Sequence, residues 1–292
     1  MAGPRNHVRY EDGWWESADG IRLHYRDYAG GADRPPLLCL HGLTRNARDF
    51  DGLAARLAGD WRVIAVDFRG RGESGYAKDP MSYLPVTYRD DVERLLGTLG
   101  LERFVLVGTS LGGIVGMLLA AADAGRIAGS VLNDVGPDLD PAGLSRIRGY
   151  VGRAAYHPTW MHAARALSEA NREVYSRYHV EDWLRMAKRL YRLNSAGRIV
   201  LDYDMKIAEP FRYAGNEAAP DMWAAFLALN AAPALILRGE RSDILSPTAA
   251  QAMKARLGRQ AELVTVPAVG HAPTLDEPEA AAAIDRLLAK LA

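Results

Sequence analysis

Gly108-Thr109-Ser110-Leu111-Gly112 is the stretch whose residue types and spacing could do chemistry. A serine with glycine two positions away on each side suits a strand-to-helix turn so tight that only small residues can flank it. Such a turn lifts the hydroxyl clear of the backbone and aims the N-terminus of the next helix at it. The N–H of Leu111 could then meet a developing oxyanion. The implied chemistry is nucleophilic attack by Ser110. A glycine-rich phosphate-binding turn is the competing reading, but the lysine of a P-loop is missing.

A serine hydroxyl attacks well only if a base takes its proton. Of the seven histidines, His271 has the right setting, in Gly270-His271-Ala272-Pro273 just after the β-prone run Ala261–Val266. His24 falls in an N-terminal hairpin pattern and His157, His162 and His179 in a helical block, where packed or solvated side chains are expected. The base in turn needs a carboxylate to fix its tautomer. Asp243, shortly after the run Ala234–Arg238, is the expected acid, with Asp134 at the end of the preceding strand pattern as reserve. Glu240 sits nearer the strand end and reads as a surface or supporting group. Leu40-His41-Gly42-Leu43-Thr44 follows another apolar run. Its glycine allows close approach to a ligand, which makes the N–H of Leu43 the second oxyanion donor beside Leu111. His41 is expected to be a structural hydrogen-bonding residue.

These positions need a scaffold. Leu37–Leu40, Arg62–Asp67, Phe104–Gly108, Gly129–Asp134, Ala234–Arg238 and Ala261–Val266 are short strand runs, several of them wholly apolar. Helical patterns alternate with them: Phe50–Ala58, Val86–Leu99, Ile114–Ala122, Pro247–Leu257 and Glu277–Leu291. Trp14–Ser17 and Ile21–Tyr28 flank Ala18-Asp19-Gly20 and predict a leading hairpin. Continuous apolar strands alternating with amphipathic helices predict an α/β fold with a mostly parallel, doubly wound sheet. Catalytic groups of such sheets gather at the carboxyl edge. The rhythm breaks between Leu139 and Ala219, a helical, aromatic-rich block that shows no strand runs. Val180–Leu193 typifies it, with Val180, Trp183, Leu184, Ala187, Leu190 and Tyr191 at helical spacing. The expected organisation is a core of residues 1–138 and 220–292, with a helical cap of residues 139–219 inserted after the sixth strand.

Composition narrows the partners. The 292 residues carry 36 basic and 36 acidic side chains, so no net field recruits nucleic acid or an anionic membrane. The single cysteine, Cys39, rules out an internal disulfide or a cysteine-based metal site and is expected to be buried. No signal-type segment opens the chain and no stretch approaches the roughly 20 apolar residues of a membrane span, so a cytoplasmic protein is expected. A homodimer is compatible with the sequence without being required by it.

Leu40-His41-Gly42, Asp67-Phe68-Arg69-Gly70-Arg71-Gly72-Glu73-Ser74, Gly108-Thr109-Ser110-Leu111-Gly112 and Gly270-His271, in this order, resemble the capped α/β-hydrolases over nearly all of the chain outside the cap. Asp67–Ser74 looks like the family's structural turn after the fourth strand, with Arg69 and Ser74 bracing loops. Asn133-Asp134-Val135-Gly136-Pro137 looks like a stretch of its esterase- and lactonase-like members. The resemblance implies a Ser-His-Asp hydrolase acting on a carboxylic ester or lactone through an acyl-enzyme, with no metal or organic cofactor. Serine at position 110 removes the family's dehalogenases and epoxide hydrolases, which use aspartate. Carbon–carbon bond hydrolysis is the alternative within the family, with Arg148, Arg153, Arg185 or Arg189 as a polar clamp. A slow-turnover ligand receptor is the alternative from another class. The substrate is expected to be a small, largely uncharged molecule. The cap should set specificity, although most of Tyr150, Tyr156, Trp160, Tyr175, Tyr178, Trp183 and Tyr191 are expected to pack rather than to line a pocket.

Overall fold

Alternation along each strand decides where the core lies. In the computed structural model, which describes residues 9–212 and 222–292, β1 (Glu11–Glu16) and β2 (Arg22–Tyr28) form the leading hairpin. There follow β3 (Leu37–Leu40), α1 (Asp51–Leu57), β4 (Val63–Asp67), α2 (Pro85–Thr98), β5 (Phe104–Thr109), α3 (Leu111–Ala122) and β6 (Ile127–Asn133). The intervening block holds α4 (Pro141–Tyr150), β7 (Tyr156–His157), α5 (Trp160–Asn171), α6 (Val180–Leu190), β8 (Tyr191–Leu193), β9 (Ile199–Leu201) and α7 (Met222–Leu227). The chain then returns through β10 (Ala234–Gly239), α8 (Pro247–Leu257), β11 (Ala261–Val266) and α9 (Pro278–Leu288).

The main sheet has eight strands in the order β1-β2-β4-β3-β5-β6-β10-β11. It is parallel from β4 to β11, with the hairpin antiparallel at one edge. This is the expected doubly wound sheet. Leu38, Leu40, Ile64, Val66, Leu106, Leu132 and Ile236 face one side, against Val92 and Leu95 of α2, Val115 of α3 and Met253 of α8. Leu37, Cys39, Val63, Ala65, Val105, Val107 and Leu237 face the other, against Leu53 and Leu57 of α1 and Ile284 and Leu287 of α9. Cys39 is buried and free. α2, α4, α8 and α9 start with proline near the first helical position, where its missing N–H removes no helical bond.

The block between β6 and β10 departs from expectation. It is not wholly helical, because β7, β9 and β8 form a small antiparallel sheet. The helical pattern of Val180–Leu193 ends at Leu190, and Tyr191–Leu193 pairs with Ile199–Leu201 instead. Asn194 closes this hairpin, its Oδ1 accepting the N–H groups of Ala196 and Arg198, while Gly197 takes φ +72°. The expected boundary between residues 219 and 220, and the first eight residues of the expected core, lie outside the described residues. Among the described residues no helix is long and apolar enough to cross a membrane.

The turn after β4 braces the site from below. Asp67 is buried and accepts the N–H groups of Ala47 at 2.6 Å and Glu73 at 3.2 Å, together with Nδ1–H of His24 at 2.7 Å. Nε2 of His24 lies 2.8 Å from Asp12 Oδ1, so both ring nitrogens face carboxylates. Burial opposes charge on both groups, but their contact outweighs it: Asp67 is held below its ordinary value and His24 above. Gly72, at φ +53°, is required here because a Cβ would stand 2.4 Å from the Asp67 carboxylate. Arg69 and Ser74 brace loops as expected, Arg69 in a two-bond pair with Asp91 and Ser74 between the Asp67 carbonyl and the His24 N–H.

A pH dependence follows. The raised histidine contributes fully below about pH 6.5 and loses its contribution as pH rises through its folded value. The lowered aspartate contributes fully above about pH 3.9 and loses its share as pH falls through its folded value. His24→Gln is therefore expected to reduce stability by about 2 kcal/mol near pH ~5.5, with the gap from wild type narrowing in alkali. Urea denaturation across pH checks this, and a gap that widens in alkali would contradict it.

Candidate active site

The turn between β5 and α3 is forced by contact. Ser110 takes φ 52° and ψ −118°, a left-handed conformation that a serine adopts only where its surroundings impose it. A Cβ on Gly112 would lie 1.9 Å from the carbonyl oxygen of Leu40, and one on Gly108 would lie 2.6 Å from Cα of Gly113. The flanking glycines thus let α3 start against β3 and fold back over β5. The Ser110 N–H donates to the Asn133 carbonyl at 3.1 Å, tying the turn to the end of β6.

Register brings the partners together. Thr109 pairs with Asn133 and Asn133 with Leu237, so β5, β6 and β10 end level at the carboxyl edge. Ser110 Oγ lies 2.9 Å from His271 Nε2, and His271 Nδ1 lies 2.8 Å from Asp134 Oδ2. The other oxygen of Asp134 accepts the Gly239 N–H at 2.9 Å, and the carboxylate is fully buried. With Nδ1–H donating to Asp134, Nε2 is free to accept the serine proton.

The expected acid, Asp243, is not in this row. Its carboxylate receives Nε and Nη2 of Arg146 at 2.5 and 2.8 Å, and that contact holds it below the ordinary carboxylate range. Asp134, the reserve, takes the place beside the histidine. The reason is local: Asp134 adopts φ 56° at the end of β6, a left-handed conformation that aspartate tolerates better than most residues. That kink turns its side chain along the sheet edge toward His271. Asp243 faces α4 instead, where the carbonyl oxygen of Asp243 would be 2.1 Å from a Cβ on Gly143. Gly143 is thus a point of close packing between α4 and the loop after β10. Glu240 accepts the Ala268 N–H and supports the turn ahead of the histidine.

The loop Leu40–Thr44 closes over the serine. A Cβ on Gly42 would lie 3.6 Å from Ser110 Cβ, and Leu43 borders the same space. Leu111 opens α3, so its N–H has no acceptor one turn back. Among the described residues the Leu43 N–H has no backbone acceptor either. His41 is structural: Nδ1–H donates to the Gly42 carbonyl, Nε2 accepts the Phe68 N–H, and burial pushes the ring down to about 4, which keeps it neutral. Arg71, which sequence reasoning left without a role, is fully buried and donates Nε–H to the Leu43 carbonyl at 2.9 Å, between the rings of Tyr83 and Tyr88. It fixes the peptide plane beyond the Leu43 N–H.

The histidine loop is held from two sides. Asn133 Nδ2 donates to the Pro273 carbonyl at 2.8 Å. From the block between β6 and β10, Tyr175 Oη donates to the Ala272 carbonyl at 2.9 Å, and the Val174 carbonyl accepts the Gly270 N–H at 2.9 Å.

Two cavities meet at Ser110. The larger, of about 550 Å³, is lined by His271 and the block above it. The smaller, of about 190 Å³, is bordered by Leu111, Ile114, Val135 and Tyr88. Of the arginines singled out from sequence, Arg153 and Arg189 line the large cavity, Arg148 borders the small one, and Arg185 pairs with Asp182 on the surface. Arg45 and Arg146 also line the large cavity and were missed, because nothing in a lone surface-type arginine marks it. Tyr175, Tyr178 and Trp183 pack on one another, Tyr156 is exposed, and Tyr150, Tyr175 and Tyr191 reach the large cavity.

This arrangement predicts opposite outcomes for the two aspartates. With an uncharged aryl ester, Asp134→Asn is expected to lower kcat by on the order of 10⁴-fold, since the amide favours the wrong tautomer. Asp243→Asn should lower it by less than about tenfold, as a group that acts on the row only through space. Equal losses would contradict the geometry.

Comparison with known proteins agrees with this architecture. Residues 37–284 match the alpha/beta hydrolase family model. The 3-hydroxybutyrate-oligomer hydrolase of Cupriavidus necator is 36% identical over 266 residues, 88% of this chain and 89% of that protein. The 2-(acetamidomethylene)succinate hydrolase of Mesorhizobium japonicum is 28% identical, over 89% of this chain and 88% of that one. The crystal structure of an alpha/beta hydrolase from Novosphingobium aromaticivorans superposes with a TM-score of 0.93 at 59% identity, covering 97% of this chain and 99% of that one. The chain belongs to the alpha/beta hydrolase family.

Proposed function

We propose that this hydrolase cleaves carboxylic esters, lactones among them, by acyl transfer through Ser110. The observation that carries the reading is His271 placed between Ser110 Oγ and Asp134, with Leu43 and Leu111 bordering the same cavity as the serine. Ser110 Oγ attacks the carbonyl carbon while His271 Nε2 takes its proton. The oxyanion is held by the two N–H groups, and Asp134 supports the imidazolium. His271 then protonates the departing alcohol, and water repeats the sequence on the acyl-serine.

The relative from Cupriavidus necator supports this choice of bond, since an oligomer of a hydroxy acid is joined by esters. Hydrolysis of a panel of aryl esters and lactones of graded size, run beside Ser110→Ala, tests the reading. Turnover with a clear size optimum, and a loss of at least about 10³-fold in the variant, is expected. Undiminished turnover in the variant, or none in wild type, would overturn it.

A further inference from the structure

The two cavities differ in chemistry, and His271 indicates which half of an ester each receives. The alcohol must leave on the side of His271 Nε2, which returns the proton to it. His271 borders the large cavity and not the small one, whereas Leu111 borders the small one. The acyl group therefore enters the small, apolar cavity and the alcohol the large one. A cavity of about 150 Å³ takes up benzene, so 190 Å³ suits an acyl group of about six carbons.

The large cavity is rich in guanidinium. Among the described residues Arg45, Arg146, Arg153 and Arg189 line it, against the one carboxylate of Asp49. Asp49 closes Arg45 with two bonds, and Asp243 closes Arg146 in the same way. Arg189 is held by a single bond, Nη2–H to Asp276 at 2.6 Å, which leaves its other N–H groups for a ligand. Arg153 stands in no ion pair among the described residues. Even with Asp243 and Asp276 counted, the wall keeps positive charge in excess, facing the leaving alcohol.

We propose that the substrate is an ester between a short-chain acid and a hydroxy acid, whose free carboxylate is held in the large cavity by Arg189 and Arg153. This rests on the acyl-transfer reading above and replaces the expectation of an uncharged substrate. Ser110 Oγ bonds to the acyl carbon as the ester C–O bond breaks. The serine proton passes through His271 to the alcohol oxygen, and the hydroxy acid leaves with its carboxylate intact. Water then cleaves the acyl-serine and releases the short acid. A hydroxy-acid dimer satisfies both halves.

The test compares the 3-hydroxybutyrate dimer with its terminal primary amide, which has the same scissile ester but no charge. In wild type the free acid is expected to exceed the amide in kcat/KM by roughly 10- to 100-fold, the range of a charged hydrogen bond. Arg189→Gln and Arg153→Gln should each move that ratio toward one, mainly through KM for the acid. Arg153 is exposed, so its variant reads the ratio even if Arg189→Gln does not fold. Equal rates on acid and amide in wild type, or an unchanged ratio in a folded variant, would overturn the subsite while leaving ester hydrolysis intact. Cleavage of neutral aryl esters but of neither dimer would overturn the substrate class. Failure on aryl esters as well would instead sink the acyl-transfer reading.

Discussion

The contact between Gly112 and the carbonyl of Leu40 is the constraint on which the site depends. It lets the start of α3 lie directly against the end of β3, and no side chain could be accommodated there. Because of it, Ser110 is pressed into a left-handed backbone at the top of the sheet, and the loop after β3 passes beside the serine. Strain of this kind persists only where the surrounding packing over-determines it. Here the apolar strands on both faces and the level ends of β5, β6 and β10 provide that support.

Buried polar groups extend the same constraint outward. Asp67 holds the N–H of Ala47, just beyond the loop that carries Leu43. Arg71 holds the Leu43 carbonyl from beneath, and Asn133 and Tyr175 hold the histidine loop. Buried groups of this kind are costly if left unpaired. Their bonds to backbone groups therefore hold the loop after β3 and the histidine loop in place.

Ser110 and His271 were legible because their positions rest on local rules. A tight turn demands small neighbours, and a histidine after a strand at the carboxyl edge has few other reasons to be there. The sheet was legible for a similar reason, since largely apolar runs of four to six residues alternating with helices permit few other folds. The acid was not, because both aspartates follow strands and the choice turns on tertiary facts. One is a left-handed φ at Asp134, and the other is an arginine on α4 that closes Asp243. The small sheet of β7, β8 and β9 was hidden because Tyr191 continues the helical spacing of α6 while its backbone already pairs with Leu201. The arginines of the large cavity were ordinary in sequence and gain meaning only from the wall they share.

The site divides at Ser110: the hydrogen-bonded row of Ser110, His271 and Asp134 has an apolar recess on one side and an arginine-lined chamber on the other. The proposed mechanism requires that Ser110 be acylated during turnover. It is tested most directly by acid-quenching the enzyme during steady-state hydrolysis of a short-chain aryl ester and measuring the mass of the peptide that contains Ser110. An added acyl group is expected on that peptide alone, with the adduct decaying in water once the ester is exhausted. An unmodified Ser110 peptide during active turnover, or an acyl group on another residue, would contradict it.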